Sequence, residues 1–288
     1  MTEIAGVLHG IPAPEDRWDD SKHELAVLEA LVYRSNLLGS DHALANQGGG
    51  NTSAKGAVSD HVGREQRVLW VKGSGTDLAS ITATGFAALR LDEIEPLRDR
   101  TSMDDAAMVD FLLHCALAPN QRRPSIETLL HAFVPAAHVD HTHPDAIIAL
   151  TSTPNGRDLA EETFGEEAVW LDYQRPGFDM SKRVAELLDA NPSARAVLLE
   201  KHGLVTWGET AEQTYRATIE FVTRGADALA RAGDGRFGLG GRKVAEAADA
   251  DILVRALPAL RGALLADRDG VVLEVDRSPE AVDRKSVV

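Results

Sequence analysis

Hydrophobic residues recur along the chain at two spacings, and the two alternate. Arg67–Gly73 (RVLWVKG) is a short apolar run typical of a strand, whereas Ala211–Arg231 repeats apolar residues every three to four positions, as an amphipathic helix does. The same spacing predicts a first helix over Ser21–Leu38, capped by Asp20 or Ser21. Its predicted buried stripe comprises Leu25, Leu28, Leu31, Val32 and Leu37.

Further elements follow from the same pattern. We predict strands in FAALRLDEI (86–94), EAVWLDY (167–173), AVLLEKHGLVTWG (196–208) and GVVLEV (270–275), and helices across 104–117, Met180–Asp189 and Asp249–Ala266. Alternating strands and helices favour an α/β domain. We expect an N-terminal extension over 1–21, a main domain over 22–232 and a C-terminal extension over 233–288. The final DRKSVV matches one reading frame of a sequencing adapter, which leaves two interpretations open: a natural chain that is longer, or a genuine ragged terminus.

Composition narrows the classes of function. A net charge of -15 provides no basic surface for nucleic acid or an anionic membrane, so we expect neither partner. An anionic substrate would need a local binding site. The single cysteine excludes an internal disulfide framework and fits a reducing cytoplasm, where we expect the protein to act. No signal peptide or apolar run long enough to span a bilayer is evident.

Three histidines fall within six residues in HVDHTHPDAIIAL (138–150). His141 and His143 are two positions apart, so on a strand both imidazoles point to one side and could bind one ion. Pro144 ends the strand directly after them. The only downstream histidine, His202 in LLEKHGLVTWG, is the candidate third ligand. Three neutral imidazoles leave a coordination position open on Zn²⁺, which is the arrangement of catalytic sites.

Two other folds use a similar histidine pair. A cupin would require a glutamate a few residues after the pair, where this chain offers only Asp145. An amidohydrolase barrel begins with a comparable strand, but it needs two more histidines downstream, and only one remains. Both folds are disfavoured.

Glu127 is the candidate proton carrier. It opens a helix after Pro124 and Ser125, and one helix and a turn separate it from the histidine pair. It could equally do no more than complement the helix dipole. We expect His131 and His138 to be structural.

Two glycine-rich loops are candidates for binding phosphate. QGGGNTS (47–53) and KGSGTDL (72–78) would expose backbone N–H groups that can hold an anion, although such loops are often plain turns. Neither has the Gly-Lys-Ser/Thr of a P-loop. GDGRFG (233–238) matches a dinucleotide fingerprint but follows a helix instead of a strand, so we reject it.

Five motifs together resemble a known family. GGGNTS, KGSGT, PSIE, HTHP and EKHGL occur in the order and spacing of the class II aldolase/adducin family. The resemblance covers about residues 22–230. It is closest to the aldolase part of bifunctional rhamnulose-1-phosphate aldolase/short-chain dehydrogenase proteins, in which a Rossmann domain follows.

The resemblance implies a three-layer α/β/α fold around a mostly antiparallel sheet, in a homotetramer with sites at subunit interfaces. It makes His141, His143 and His202 the Zn²⁺ ligands and Glu127 the catalytic acid/base. Positions that match substrate-phosphate contacts in the family are Gly50, Asn51, Ser74, Gly75 and Ser125. Where fuculose-phosphate aldolases read Ser-Ser-Glu, this chain reads Ser-Ile-Glu, so one hydroxyl contact to phosphate is missing.

The implied reaction is zinc-dependent cleavage of a ketose 1-phosphate, similar to rhamnulose 1-phosphate, to dihydroxyacetone phosphate and lactaldehyde. One alternative keeps the fold but epimerises or dehydrates a sugar phosphate, and Glu127 argues against the epimerases. The other is a non-catalytic, adducin-like module, which would be expected to lack the metal ligands that this chain has.

Overall fold

A computed structural model describes residue 11 and residues 13–232 and 250–264. The chain forms two compact units, one within His9–Gly235 and one that contains the helix over Ala250–Leu264. The GDGRFG segment and the strand predicted at 270–275 lie outside the described residues. The three-part division at residues 22 and 233 stays a prediction.

Seven strands form one sheet in the first unit. They are β1 (Asn51–Ser59), β2 (Glu65–Lys72), β3 (Phe86–Arg90), β4 (His138–Thr142), β5 (Ala168–Leu171), β6 (Ala196–Leu199) and β7 (Gly203–Gly208). Their order is β3-β2-β1-β4-β7-β6-β5. Strands β5 and β6 pair in parallel, and the other neighbouring pairs in this sheet are antiparallel. The mostly antiparallel sheet expected from the sequence is confirmed.

Helices cover both faces of this sheet, giving three layers. In the first unit they are α1 (Val27–Ser40), α2 (Leu91–Ile94), α3 (Asp105–His114), α4 (Thr128–Phe133), α5 (Asp145–Ser152), α6 (Gly156–Phe164), α7 (Phe178–Ala190) and α8 (Ala211–Ala232). Helices α1 and α8 pack on one face, against β1, β4 and β7, while α4 and α7 pack on the other. The second unit contains α9 (Ala250–Leu264), as predicted. The α/β fold class is therefore confirmed.

Strand β4 is the middle strand of the sheet, and all five of its residues are buried. Because side chains alternate along a strand, His138 and Asp140 face α1, and His141 faces the opposite side. A polar strand at the centre of a sheet requires partners for each polar group. The two faces of β4 meet this requirement differently.

The first helix differs from its prediction at the start and on its buried side. Asp20–Lys22 forms a separate 3₁₀ turn, and α1 begins only at Val27. Asp19 accepts a hydrogen bond from the Ser21 N–H, so the capping residues serve that turn and not the helix. The buried side of α1 consists of Ala30, Leu31, Arg34, Ser35 and Leu38.

Arg34 faces inward because it pairs with the buried carboxylate of Asp140 on β4. Helical periodicity alone cannot reveal such a partner.

The predicted helix over 104–117 is confirmed, with Asp104 as its cap, whereas α6 has no counterpart among the sequence predictions. Within the described ranges, no helix has the length and apolar character that crossing a membrane requires.

Candidate active site

Several strand ends meet at one end of the sheet. Strands β1 and β7 run antiparallel to β4 on either side of it, so their first residues lie beside its last ones. Asn51 pairs with His141, and Thr142 pairs with Leu204. Strand β2 is antiparallel to β1, which places its end, Lys72, on the same side. The topology therefore gathers motifs that are up to about 150 residues apart in sequence.

His141, His143 and His202 form one cluster at this end. One ring nitrogen from each lies within 4.8 Å of the others. The Nε2 atoms of His141 and His143 are 3.1 Å apart, close to the spacing of about 3.3 Å between two ligands of a tetrahedral zinc. The Nδ1 of His141 lies 3.1 Å from the carbonyl of Leu204. As Nδ1–H donates there, Nε2 is left unprotonated and directed into the cluster.

Burial keeps these imidazoles neutral. It lowers the pKa of His141 and of His143 to about 3, and repulsion between the neighbouring rings adds to the shift. Burial also lowers the pKa of His202, against the opposing effect of Glu127. Neutral imidazole is the form that binds metal ions.

Glu127 lies immediately beside the histidines. Its Oε1 is 3.4 Å from Nε2 of His141 and 3.5 Å from Nε2 of His202. This oxygen is buried and has no hydrogen-bond donor among the described residues. Ser125 Oγ, 3.2 Å away, accepts from the Glu127 backbone N–H and so helps to set the start of α4.

The donor set fits a divalent cation. Three neutral imidazoles and a carboxylate oxygen without a donor converge, and a buried carboxylate is costly unless positive charge compensates it. The residues that would hold the ion are His141, His143 and His202. Which metal binds stays a prediction.

A tight turn between β6 and β7 places His202 beside His141 and His143. Lys201 adopts a left-handed conformation (φ 55°), and the His202 N–H donates to the carbonyl of Leu199. Gly203 follows, where a Cβ would lie 2.3 Å from the carbonyl oxygen of Thr142 and within 3.4 Å of both neighbouring histidine rings. Only glycine allows β7 to approach the end of β4 this closely.

The five predicted phosphate-binding residues line a single cavity of about 400 Å³. They are Gly50, Asn51, Ser74, Gly75 and Ser125, and Glu127 and His143 line the same cavity. Both loops are anchored. The Gly48 N–H donates to Asp77 at 2.7 Å, and Ser74 N–H donates to the Arg123 carbonyl at 2.8 Å. The structure thus brings the residues together, while their contact with phosphate stays a prediction.

Two cationic side chains that the sequence reasoning missed also line the cavity. Lys72 is buried and donates to the Gly48 carbonyl at 3.1 Å, and burial lowers its pKa, although Asp77 and Glu127 oppose the shift. Arg123 is exposed at the rim. A signal was available: Lys72 is the first residue of the KGSGTDL loop, and Arg123 directly precedes PSIE.

Asn51 has side-chain contacts that the motif alone did not indicate. Its Nδ2 donates to Glu127 Oε2 at 2.7 Å and to Ser125 Oγ at 3.2 Å. Its Oδ1 accepts from Nε2 of His131, whose Nδ1 lies 2.7 Å from Ser53 Oγ. Ser53 and His131 are fully buried.

His138 lies on the opposite face of β4, away from the cluster. Its Nδ1 accepts from Arg34 at 2.7 Å, and Arg34 Nε lies 2.8 Å from Asp140 Oδ1. Arg34 also donates to the Ser53 carbonyl at 2.7 Å. The contacts made by His138 are those of a structural residue, as expected.

Comparison with known proteins identifies the family. The model of the "Class II Aldolase and Adducin N-terminal domain" matches residues 29–225. The N-terminal class II aldolase domain of a conserved Thermoplasma acidophilum protein is 38% identical, with a TM-score of 0.70, over 75% of this chain and 100% of that one. A sugar-phosphate aldolase from Thermotoga maritima has a TM-score of 0.52 at 13% identity, over 72% of this chain and 95% of that one, and shows the fold alone.

A Bacillus subtilis (strain 168) protein named "Uncharacterized oxidoreductase YuxG" is 46% identical over 259 residues, which are 89% of this chain and 37% of that protein. The chain thus spans just over a third of this relative's length, and the word oxidoreductase describes the longer protein as a whole. The matched domain model and the Thermoplasma domain agree with the five motifs and with the sheet described above. The chain belongs to the class II aldolase and adducin family.

Proposed function

We propose that this chain cleaves a ketose 1-phosphate of the rhamnulose 1-phosphate type to dihydroxyacetone phosphate and lactaldehyde, with Zn²⁺ as its metal. Membership of the family supports a lyase of the aldolase type. The observation that carries the proposal is the position of Glu127. Its donor-free oxygen lies 3.4 and 3.5 Å from two of three clustered imidazole nitrogens and beside a cavity lined by two glycine loops.

The cavity suits the phosphate end of such a substrate. The loop around Gly50 and the loop around Gly75 border it, and backbone N–H groups in such loops bind anions. Lys72 and Arg123 add positive charge locally, which a chain with a net charge of -15 needs in order to hold an anion. Binding energy at the phosphate would then position the carbons that react.

Glu127 is the group placed to move a proton. In the cleavage direction Glu127 accepts the proton of the C4 hydroxyl, the C3–C4 bond breaks to give the aldehyde carbonyl, and the bonding electrons remain at C3. Glu127 then delivers this proton to C3, and in the reverse direction it removes a proton from C3 of dihydroxyacetone phosphate and returns it to the C4 oxygen. Its burial excludes water from the carboxylate, and Asn51 holds the oxygen that does not face the histidines.

His141, His143 and His202 would hold the cation. When bound there, a divalent cation acts as a Lewis acid that stabilises negative charge developing on the substrate's carbonyl oxygen. The homotetramer expected from the resemblance stays a prediction, which light scattering on the purified protein would test.

A screen of ketose 1-phosphates tests the proposal. Zinc-loaded protein is incubated with rhamnulose 1-phosphate, with related ketose 1-phosphates and with the unphosphorylated ketoses, and released triose phosphate is measured. We expect cleavage of the phosphorylated substrates, and an increased KM with little change in kcat for Arg123→Gln. Inversion at C4 without triose phosphate would replace the aldolase with an epimerase, and a failure to bind metal would favour the adducin-like module.

A further inference from the structure

We propose that His131 is a positioning residue that acts through Asn51 to fix the orientation of the Glu127 carboxylate. The inference rests on the proposed function insofar as it assigns Glu127 the proton transfer. A row of side chains carries it: Ser53, His131, Asn51 and Glu127. All four are buried, and they belong to β1, to α4 and to the residue that precedes α4.

The first step concerns the side-chain amide of Asn51. Asn51 Nδ2 donates to Glu127 Oε2 at 2.7 Å, and a carboxylate oxygen is suited to accept this hydrogen bond. Its two hydrogens are then directed at Glu127 and at Ser125 Oγ, 3.2 Å away. The amide oxygen is left facing His131.

The second step fixes the tautomer of His131. Burial lowers the pKa of His131 well below its usual value, so the ring is neutral and carries one N–H. Since Asn51 Oδ1 is an acceptor, that hydrogen must be on Nε2. Nδ1 is then an acceptor, and Ser53 Oγ, 2.7 Å away, donates to it.

The tautomer of His131 determines how Asn51 contacts the Glu127 carboxylate. With the opposite tautomer of His131, the amide of Asn51 would turn over and present its oxygen to a carboxylate, which is repulsive. With the Nε2–H tautomer of His131, Oε2 of Glu127 is occupied, and Oε1 is the oxygen left to face His141 and His202. His131 therefore selects which carboxylate oxygen is available for the reaction, without touching the reacting atoms itself.

Two substitutions at one position separate this role from simple packing. Glutamine places an amide nitrogen where the histidine has Nε2, whereas asparagine reaches only the position of Nδ1. We expect His131→Gln to keep kcat within about threefold of wild type. We expect His131→Asn to lower kcat about 10- to 100-fold, as loss of a hydrogen bond in a chain ending on a charged group implies. The comparison is made on kcat, because Asn51 is also a predicted phosphate-binding residue and a change in its orientation affects KM.

A double-mutant cycle with Asn51→Ala tests whether the effect passes through Asn51. In the Asn51→Ala background, adding His131→Asn should cause no further loss of kcat. Unfolding temperature and zinc content are measured for each variant. Equal kcat values for His131→Gln and His131→Asn, or losses that multiply in the double variant, would overturn the proposal.

Nitrogen NMR of the wild-type protein with ¹⁵N-labelled histidine provides a test that needs neither activity nor a variant. We expect His131 to be a neutral ring protonated on Nε2, and a ring protonated on Nδ1 would contradict the proposal. If no ketose 1-phosphate is cleaved but the Nε2–H tautomer is observed, the proposed function fails while the arrangement around Glu127 stands. If cleavage occurs and His131→Asn retains full kcat, only the positioning role fails.

Discussion

The two faces of strand β4 are equally buried but differ in how their polar groups are satisfied. On the face that we call the ion-pair face, His138 and Asp140 meet the guanidinium of Arg34. On the face that we call the site face, His141 meets other imidazoles and Glu127, and the Oε1 of that carboxylate has no donor.

The difference shows how a buried histidine can be interpreted. Where the chain itself supplies the opposing charge, as Arg34 does for Asp140, the group contributes to the fold. Where several electron-rich atoms converge without a donor, the group is suited to holding a cation. Four predictions test this comparison.

The largest expected effect is on catalysis at the site face. Replacing Glu127 with glutamine, with zinc still bound, should lower kcat for ketose 1-phosphate cleavage about 10²- to 10⁴-fold, because the variant cannot exchange a proton. Triose phosphate release measures kcat, and metal analysis verifies the loading. The matched control is Glu166→Gln, at an exposed glutamate, which should leave kcat unchanged. A wild-type rate in Glu127→Gln would remove the proton-transfer role.

The second prediction concerns stability at the ion-pair face. Arg34→Met should lower the free energy of unfolding by about 3–5 kcal/mol, because it leaves the Asp140 carboxylate buried without a counter-charge. Arg183→Met removes an exposed ion pair with Glu186 and should cost less than about 1 kcal/mol. Urea unfolding measures both.

A second substitution sharpens that result. Adding Asp140→Leu to Arg34→Met should restore part of the lost stability, since a buried pair can be replaced by apolar residues at little cost. If the double variant is less stable than Arg34→Met alone, the buried carboxylate is not the source of the loss.

The third prediction is that metal stabilises the site face only. Zinc at about 100 times its Kd should raise the free energy of unfolding by about 2.7 kcal/mol, and a chelator should reverse the gain. His141→Ala should abolish the response. His138→Asn, on the ion-pair face, should respond to zinc as wild type does. Loss of the response in this variant would contradict the prediction that metal acts on the site face only.

The fourth prediction is a pH dependence at the ion-pair face. Burial, with Arg34 adding to it, lowers the pKa of His138 to about 3 from 6.5. The unfolded chain therefore binds the extra proton between pH 3 and 6.5, and stability is lost as the pH falls through this window. One such group contributes a slope of about 1.4 kcal/mol per pH unit.

Asp140 has the opposite sign in part of that window. Burial raises its pKa to about 6 from 3.8, so its contribution to stability falls as the pH rises between these values. Comparing His138→Asn with wild type isolates the histidine, because asparagine retains an acceptor for Arg34. Between pH 3.8 and 6 the two contributions nearly cancel in wild type, so the slope of unfolding free energy against pH should be about 1.4 kcal/mol per pH unit lower in the variant. Equal slopes in the two proteins would contradict the assignment.

Much of the candidate site could be predicted because its residues occur in short sequence motifs. The i, i+2 spacing of His141 and His143, the single downstream histidine and the two glycine loops are all local patterns. The structure brings these residues to one end of the sheet. Their individual roles remain proposals until measured.

The sequence could not reveal contacts between residues that are distant along the chain. Helical periodicity assigned α1 an apolar stripe, yet Arg34 is buried because it meets a carboxylate 106 residues further along the chain, at Asp140. The contacts of His131 to Asn51 and Ser53 join α4 to β1 and were likewise not foreseen. No local pattern encodes either contact.

The sequence by itself therefore determined which residues group into candidate motifs and that strands and helices alternate, since these properties depend on residue type and short spacing. Tertiary structure alone decided which face of β4 each histidine occupies, which oxygen of Glu127 is left without a donor, and that Lys72 and Arg123 border the cavity. The physical reason is that hydrogen bonding and burial are properties of neighbours in space. In this sheet, antiparallel pairing brings the start of β1 and the end of β4 together from opposite parts of the domain.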